Sequence, residues 1–149
     1  MSITYVNAEL RRLVEIRAQR HCEYCLIAEE ETCLGCEVDH IISEKHGGQT
    51  TEQNLAFACV FCNQAKGSDV GSIIHGTGDF VRFYNPRSDP WGEHFRLIDY
   101  RIDALTNIGA ATSLILQFNK LERLLERQAL SLISRYPTAF ASTRMIMKQ

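Results

Sequence analysis

The sequence lacks long apolar runs, an apolar leader and an excess of positive charge. Its apolar stretches are only a few residues long, whereas a membrane-spanning helix needs ~20. No apolar core typical of a secretory signal is present in the opening stretch, MSITYVNAELRRLVEIR, so we expect a cytoplasmic protein without a membrane partner. The formal net charge of −2 argues against a strongly basic nucleic-acid-binding domain.

The composition is that of an ordinary globular protein. Of the 149 residues, 45% are apolar and 23% are charged, which excludes disordered, collagen-like and coiled-coil chains. The length fits one domain. The charge is unevenly distributed, because residues 1–70 carry a net −5 and residues 71–149 a net +3.

Six cysteines are present, and all lie in the first half of the chain. They form three C-x-x-C pairs, CEYC at 22–25, CLGC at 33–36 and CVFC at 59–62. Without a secretion signal, this pattern favours metal binding over disulfides. The residues that follow the pairs are Leu26, Glu37 and Asn63, so the histidine of a c-type haem site is absent. We see no βαβ setting for a thioredoxin-like redox pair.

Periodicity predicts a mixture of helices and short strands. In the first half we expect a helix over residues 7–20 with Asn7 as N-cap, and strands over 37–43 and 54–58. We expect a short helix over CVFCNQAK that ends at Gly67. The Gly47–Gly48 pair predicts a turn between the strands.

The second half shows weaker signals. We expect a Gly- and Ser-rich connector over 68–79, a strand over 80–84, a helical turn near Pro90, and one or two strands over 95–105. Residues 108–136 have a helical pattern, and a second helix can restart at Asn119. The sequence therefore predicts an α+β fold: a core at 1–70 with an N-terminal helix, and an extension at 71–149 of short strands and then helices, packed together as a single domain.

The stretch from Cys22 to Gly67 resembles the HNH endonucleases, the ββα-metal nucleases, in their zinc-stapled form. The resemblance rests on the order CEYC, EVDHIIS, GG, NL and CVFCNQAKG. Farther along, FYNPRSDPWGEHF and LTNIGAAT resemble the tail of a bacterial subfamily of small HNH proteins. The resemblance implies a ββα-metal core and a hydrolase that acts on DNA.

The same motif contains the groups that phosphodiester hydrolysis needs. His40 is the candidate general base, because a neutral imidazole can accept a proton near pH 7. Asp39 and Asn63 can supply oxygen ligands to a catalytic Mg²⁺ or Mn²⁺. Many family members have histidine where this chain has Asn63. By the resemblance, Asn54 is the middle motif residue, which bonds to backbone and holds the loop carrying His40.

The resemblance assigns one structural Zn²⁺ to four of the cysteines, Cys22, Cys25, Cys59 and Cys62. Cys33 and Cys36 depart from the family pattern. They could complete a site with Cys22 and Cys25, stay free, form a disulfide, or join a second metal. Lys45 and Lys66 are either phosphate contacts or solvated charges.

Other interpretations stay open at this stage. One is a zinc-dependent nucleic-acid-binding module without catalysis, and another is an interaction protein with the zinc unit as scaffold. The aliphatic pattern of the C-terminal helices makes a homodimer possible.

Overall fold

The first helix begins at the N-cap that the sequence predicts. In the computed structural model, which describes residues 5–146, α1 spans Ala8–Arg17. The Asn7 side chain accepts a hydrogen bond from the backbone N–H of Leu10 at 2.8 Å, which satisfies one of the free amides of the first turn. The helix buries Val14 in a small cluster with Leu55 and Phe57.

Two strands and a helix follow in the predicted order. Strand β1 (Cys36–His40) pairs antiparallel with β2 (Leu55–Cys59), and helix α2 covers Val60–Lys66. In the register of this pair, Cys36 lies opposite Cys59 and His40 opposite Leu55. All five residues of β2 are buried, which explains its uninterrupted LAFAC run. The ββα arrangement predicted from the sequence is therefore present.

The β1–β2 connection is a tight loop with two short 3₁₀ turns, Glu44–His46 and Glu52–Asn54. Gly47 adopts φ +87°, a left-handed conformation that favours glycine. A Cβ atom on Gly48 would lie 1.7 Å from the carbonyl oxygen of Ile42. The two glycines thus permit both the turn and the close approach of the loop to the end of β1.

The described part of the second half, residues 71–146, contains two more hairpins and four helices. These elements are β3 (Gly71–Ile73), β4 (Phe80–Arg82), α3 (Trp91–His94), β5 (Phe95–Ile98), β6 (Arg101–Ala104), α4 (Asn107–Leu116), α5 (Leu121–Leu132) and α6 (Ala139–Ile146). Strand β3 lies inside the stretch predicted as a connector. This segment is extended because it pairs with β4. Helix α6 has no counterpart among the predicted elements.

The C-terminal helical stretch is interrupted near Asn119, where the sequence predicts that a second helix begins. Gln117 takes a left-handed conformation and ends α4, and α5 begins after Lys120. Asn119, where the sequence predicts the restart, does not cap α5; the N-cap residue is Lys120. The Asn119 amide exchanges two hydrogen bonds with the backbone of Ile102, at 3.0 and 2.7 Å.

One large core cluster contains residues of both halves. It includes the four cysteines of the first and third C-x-x-C pairs together with Tyr84, Trp91, Phe95 and Phe118. Trp91 donates its indole N–H to the carbonyl of Tyr24 at 2.7 Å, and Arg87 pairs with the buried carboxylate of Glu23. The fold is α+β, as predicted. None of the helices in the described residues has the length and apolarity that crossing a membrane requires.

Gly109 tests the packing of α4. Replacing a helical glycine by alanine normally stabilises a helix by about 1 kcal/mol. At Gly109, however, the added Cβ would lie 2.2 Å from the carbonyl oxygen of His94. We therefore expect Gly109→Ala to lower the free energy of unfolding by about 2 kcal/mol or more in denaturant titrations. Leu114→Ala, on the exposed side of the same helix, should change it by about 0.5 kcal/mol at most.

Candidate metal centre and adjoining cleft

Four cysteine sulfurs converge in the core. Cys22, Cys25, Cys59 and Cys62 are all buried, and their Sγ atoms lie within 4.8 Å of one another. The Sγ atoms of Cys25 and Cys59 are 3.8 Å apart. Sulfurs bound at ~2.3 Å around a tetrahedral ion would be separated by about the same distance. The donor set and its spacing therefore fit a structural zinc ion, and they match the set assigned by the resemblance.

The two C-x-x-C pairs of the cluster each lie on a turn that directs a backbone amide toward sulfur. The N–H of Cys25 points at the Sγ of Cys22, and the N–H of Cys62 at the Sγ of Cys59, both at 3.5 Å. Leu26 closes the first turn in a left-handed conformation. The second turn is the N-terminus of α2, where Cys59 is the cap residue. Helix α2 thus begins at the metal-binding cluster.

The sulfur cluster also contacts an arginine from the other half of the chain. Arg123 of α5 donates to the Sγ of Cys25 at 3.0 Å. Burial opposes ionisation of Cys25, but the neighbouring thiols and Arg123 lower its pKa below the ordinary value. Burial raises the pKa of Cys22 and of Cys62. No sequence signal pointed to Arg123, because it lies 98 positions from Cys25 along the chain.

The remaining two cysteines lie outside this cluster. Cys33 is exposed, and Cys36 is half-buried opposite Cys59 in the β1–β2 pair. Both are free thiols, and burial raises the pKa of Cys36. The structure does not group them with Cys22 and Cys25 as ligands. Of the arrangements left open by the sequence, it favours free thiols.

A cleft of ≈ 530 Å³ opens beside the ββα unit. Its walls come from the end of β1, the following loop and one face of α2, and its lining includes Glu37, Asp39, His40, Glu44, Lys45 and Asn63. The predicted base and the two predicted oxygen ligands therefore line one cavity. Lys45 is exposed at its edge, where it is free to approach a phosphate.

Asp39 is held by a buried cation. The ammonium of Lys66 lies 3.1 Å from the Asp39 Oδ2 and donates to the carbonyl of His40 at 2.9 Å. The hydroxyl of Tyr24 donates to the same carboxylate at 3.1 Å. Burial raises the pKa of Asp39, and Lys66 acts in the opposite direction.

Lys66 is 1% exposed, which argues against both of the roles that the sequence left open for it. A phosphate contact needs an accessible ammonium, and a solvated charge needs water, so neither description applies to this position. Its ammonium pairs with Asp39 inside the protein instead.

His40 is held by a short polar chain. Its Nε2 lies 2.8 Å from the Thr50 hydroxyl and 3.4 Å from the Glu44 carboxylate, and the Thr50 hydroxyl can donate to Glu44 at 3.5 Å. This direction of donation, from imidazole to hydroxyl to carboxylate, places the imidazole proton on Nε2. Thr50 and Glu44 were not among the site residues predicted from the sequence.

Asn54 and Asn63 make different kinds of contact. Asn54 accepts from the N–H of Ile42 and donates to the carbonyls of Ile42 and Gln49, all at 2.9 Å. These bonds hold the loop after His40, as the resemblance implies. Asn63 instead donates its amide N–H to Glu37 at 3.2 Å. Glu37 was missed, although its place two residues before Asp39 on a strand puts both on one face.

A ββα unit joined by a four-thiol cluster is typical of small folds that a structural metal ion stabilises. The family model for HNH endonuclease matches residues 22–69, the segment that contains the four thiols, the cleft-lining strand and α2. This match confirms the family resemblance, and the cysteine cluster fits the zinc-stapled type. No curated protein and no solved structure matches the chain.

The buried Asp39–Lys66 pair predicts strongly non-additive mutations. Lys66→Met alone leaves Asp39 buried without its cation, so we expect it to lower the free energy of unfolding by about 3–5 kcal/mol. The double variant Asp39→Asn/Lys66→Met should cost clearly less than the sum of the two single variants. Lys45→Met, in the same cleft but exposed, should change stability by about 0.5 kcal/mol at most. Additive losses in chemical denaturation would contradict the pairing.

Proposed function

We propose that this protein is a metal-dependent endonuclease that hydrolyses DNA phosphodiester bonds in the cleft beside β1 and α2. The observation that carries the proposal is that Asp39, His40 and Asn63 line one cavity, within a segment matched by the HNH endonuclease family model. The match supports a nuclease-type, nucleic-acid-related function.

His40 acts as the general base. With its proton on Nε2, which faces Thr50 and Glu44, the imidazole keeps Nδ1 as a proton acceptor for an attacking water. The partners of Nε2 also stabilise the imidazolium that forms when the proton is taken. Asn54 acts through position only, because its three bonds to backbone fix the loop that carries Glu44 and Thr50.

Asp39 and Asn63 provide the oxygen ligands for a divalent cation. Carboxylate and amide oxygens are hard donors, which favours Mg²⁺ or Mn²⁺. When bound, such an ion supplies a Lewis acid and a counter-charge for the transition state. Glu37 orients Asn63, because an amide that donates its NH₂ to Glu37 presents its oxygen on the opposite side.

Charge determines how the cleft attracts a cation. Lys66 neutralises Asp39 inside the protein, so Glu37 and Glu44 supply the negative charge that remains along the lining. Lys45 at the cleft edge and the net-positive residues 71–149 supply the contacts to DNA. Few phosphate contacts imply weak binding with a modest dependence on salt.

A second function, a zinc-dependent nucleic-acid-binding module without catalysis, draws on one observation. Asp39 already has a buried cation as partner, as a purely structural carboxylate would. That function leaves the bonded set of His40, Thr50 and Glu44 without a purpose, so we favour catalysis. The homodimer predicted from the C-terminal helices has no support in the structure, and we do not propose it.

Plasmid cleavage tests the role of His40. With Mg²⁺ or Mn²⁺ present, we expect the wild-type protein to cut supercoiled plasmid and EDTA to abolish the reaction. Because the base is lost, His40→Ala should reduce the rate by about 10²-fold or more. His75→Ala removes an exposed histidine outside the cleft and should leave the rate unchanged. Equal rates for wild type and His40→Ala with every metal would rule out this reaction.

The metal requirement tests the role of Glu37. If Glu37 orients Asn63, Glu37→Ala should raise the Mg²⁺ concentration for half-maximal cleavage by about 10-fold or more. Glu37→Gln keeps an acceptor for the Asn63 amide, so its Mg²⁺ concentration for half-maximal cleavage should lie between those of the wild type and Glu37→Ala. Glu30→Ala, an exposed acid outside the cleft, is the matched control. The same Mg²⁺ dependence in wild type and Glu37→Ala would exclude this role.

A further inference from the structure

Helix α5 places one guanidinium directly on the sulfur cluster. Arg123 is 4% exposed, and its Nη2 lies 3.0 Å from the Sγ of Cys25 and 3.6 Å from the Sγ of Cys59. Its Nη1 lies 3.6 Å from the Sγ of Cys62. Three of the four sulfurs therefore share one arginine, which lies well outside the family-matched segment 22–69.

Two further groups hold the same guanidinium. The Nε atom of Arg123 pairs with the Glu126 carboxylate at 3.3 Å, one turn along α5. On the other side, the guanidinium lies over the ring of Phe61 at 5.2 Å from its centroid, in the range of a cation–π contact. The side chain is thus fixed in place rather than one of several surface conformers.

Burying a guanidinium is costly unless its positive charge and its N–H groups find partners. Neutral thiols are weak acceptors and offer little compensation. Thiolates around a divalent zinc ion offer much more, because four thiolates exceed the ionic charge by two and leave the site dianionic. A cation with several donors in a planar fork is well suited to bond more than one sulfur at once.

The extension makes two more contacts to the first cysteine turn. The Tyr136 hydroxyl donates to the carbonyl of Cys25 at 2.9 Å, and the Trp91 indole donates to the carbonyl of Tyr24 at 2.7 Å. Both donors are buried. Two carbonyls of the turn that carries Cys22 and Cys25 therefore accept hydrogen bonds from the second half of the chain.

We propose that Arg123 is an outer-sphere partner of the metal-bound thiolates, so that the metal ion and the C-terminal helices stabilise one another. By donating to the sulfurs, Arg123 offsets the excess negative charge of the site and strengthens retention of the ion. In turn, the charged sulfurs anchor α5 to the ββα unit. This inference depends on a metal at the four cysteines and is independent of the nuclease proposal.

Zinc affinity is the first test, measured by competition with a chromogenic chelator on the full chain. Arg123→Met should weaken zinc retention by about 10-fold or more. Arg123→Lys keeps the charge but loses the fork, so its affinity should be intermediate. Arg135→Met also removes an ion-paired arginine from the second half, but this arginine is exposed and its partner is Glu31 rather than a cysteine. The variant should therefore bind zinc as the wild type does. Wild-type affinity in Arg123→Met would overturn the proposal.

Hydrogen exchange on the unmutated protein supplies a second test that does not depend on a variant folding. Amides of α5, at 121–132, should be protected in the zinc-loaded protein and should lose protection when a chelator removes the ion. Cobalt substitution adds a spectroscopic check, because Arg123→Lys should shift the sulfur-to-cobalt charge-transfer band relative to Arg135→Met. Unchanged protection of α5 after metal removal would overturn the coupling, whatever the cleavage activity.

Discussion

The position of helix α2 depends on four buried sulfurs. Cys59 caps the helix and Cys62 lies in its first turn, so an ion at the cluster fixes where the helix starts and how it is rotated. Asn63 follows directly, and Lys66 lies one turn farther on. A metal site of this type can contribute folding free energy of about 10–16 kcal/mol in small domains, more than a ββα unit obtains from its own packing.

A second constraint acts at the other end of α2. The buried ammonium of Lys66 joins the helix to both residues of the Asp39–His40 pair. Such a pair gains little stability over an apolar replacement, but removing one partner is costly, so it specifies one arrangement. The sulfurs therefore set the start of α2, and the ion pair sets its distance from β1. Between them they define the cleft.

Much of the ββα unit could be predicted from the sequence, because its determinants are local. Each of these features depends only on residues a few positions away: the Gly47–Gly48 turn, the C-x-x-C turns and the helix cap at Gly67. Asn54 could be assigned through the family motif, and its bonds to Ile42 and Gln49 agree with that assignment. The three-residue strand β3 could not be predicted, since only its pairing with β4 makes it extended.

The residues that the sequence left undefined act over long distances. A lysine in a polar motif is expected to be exposed to solvent, and only the folded chain shows that Lys66 has Asp39 as its partner. Asn119 has a plausible capping position, yet its amide binds Ile102 in a strand. Arg123 lies in an amphipathic helix, where an arginine is normally solvated. In each case a tertiary contact overrides the local preference.

The most direct test of this account is a crystal structure of the protein grown with Mn²⁺, with anomalous data collected at the zinc and manganese edges. We expect a zinc peak among Cys22, Cys25, Cys59 and Cys62, and a separate manganese peak in the cleft within bonding distance of Asp39 and Asn63. A cleft without manganese, with Asp39 still paired only to Lys66 and Tyr24, would contradict a catalytic cation at this position.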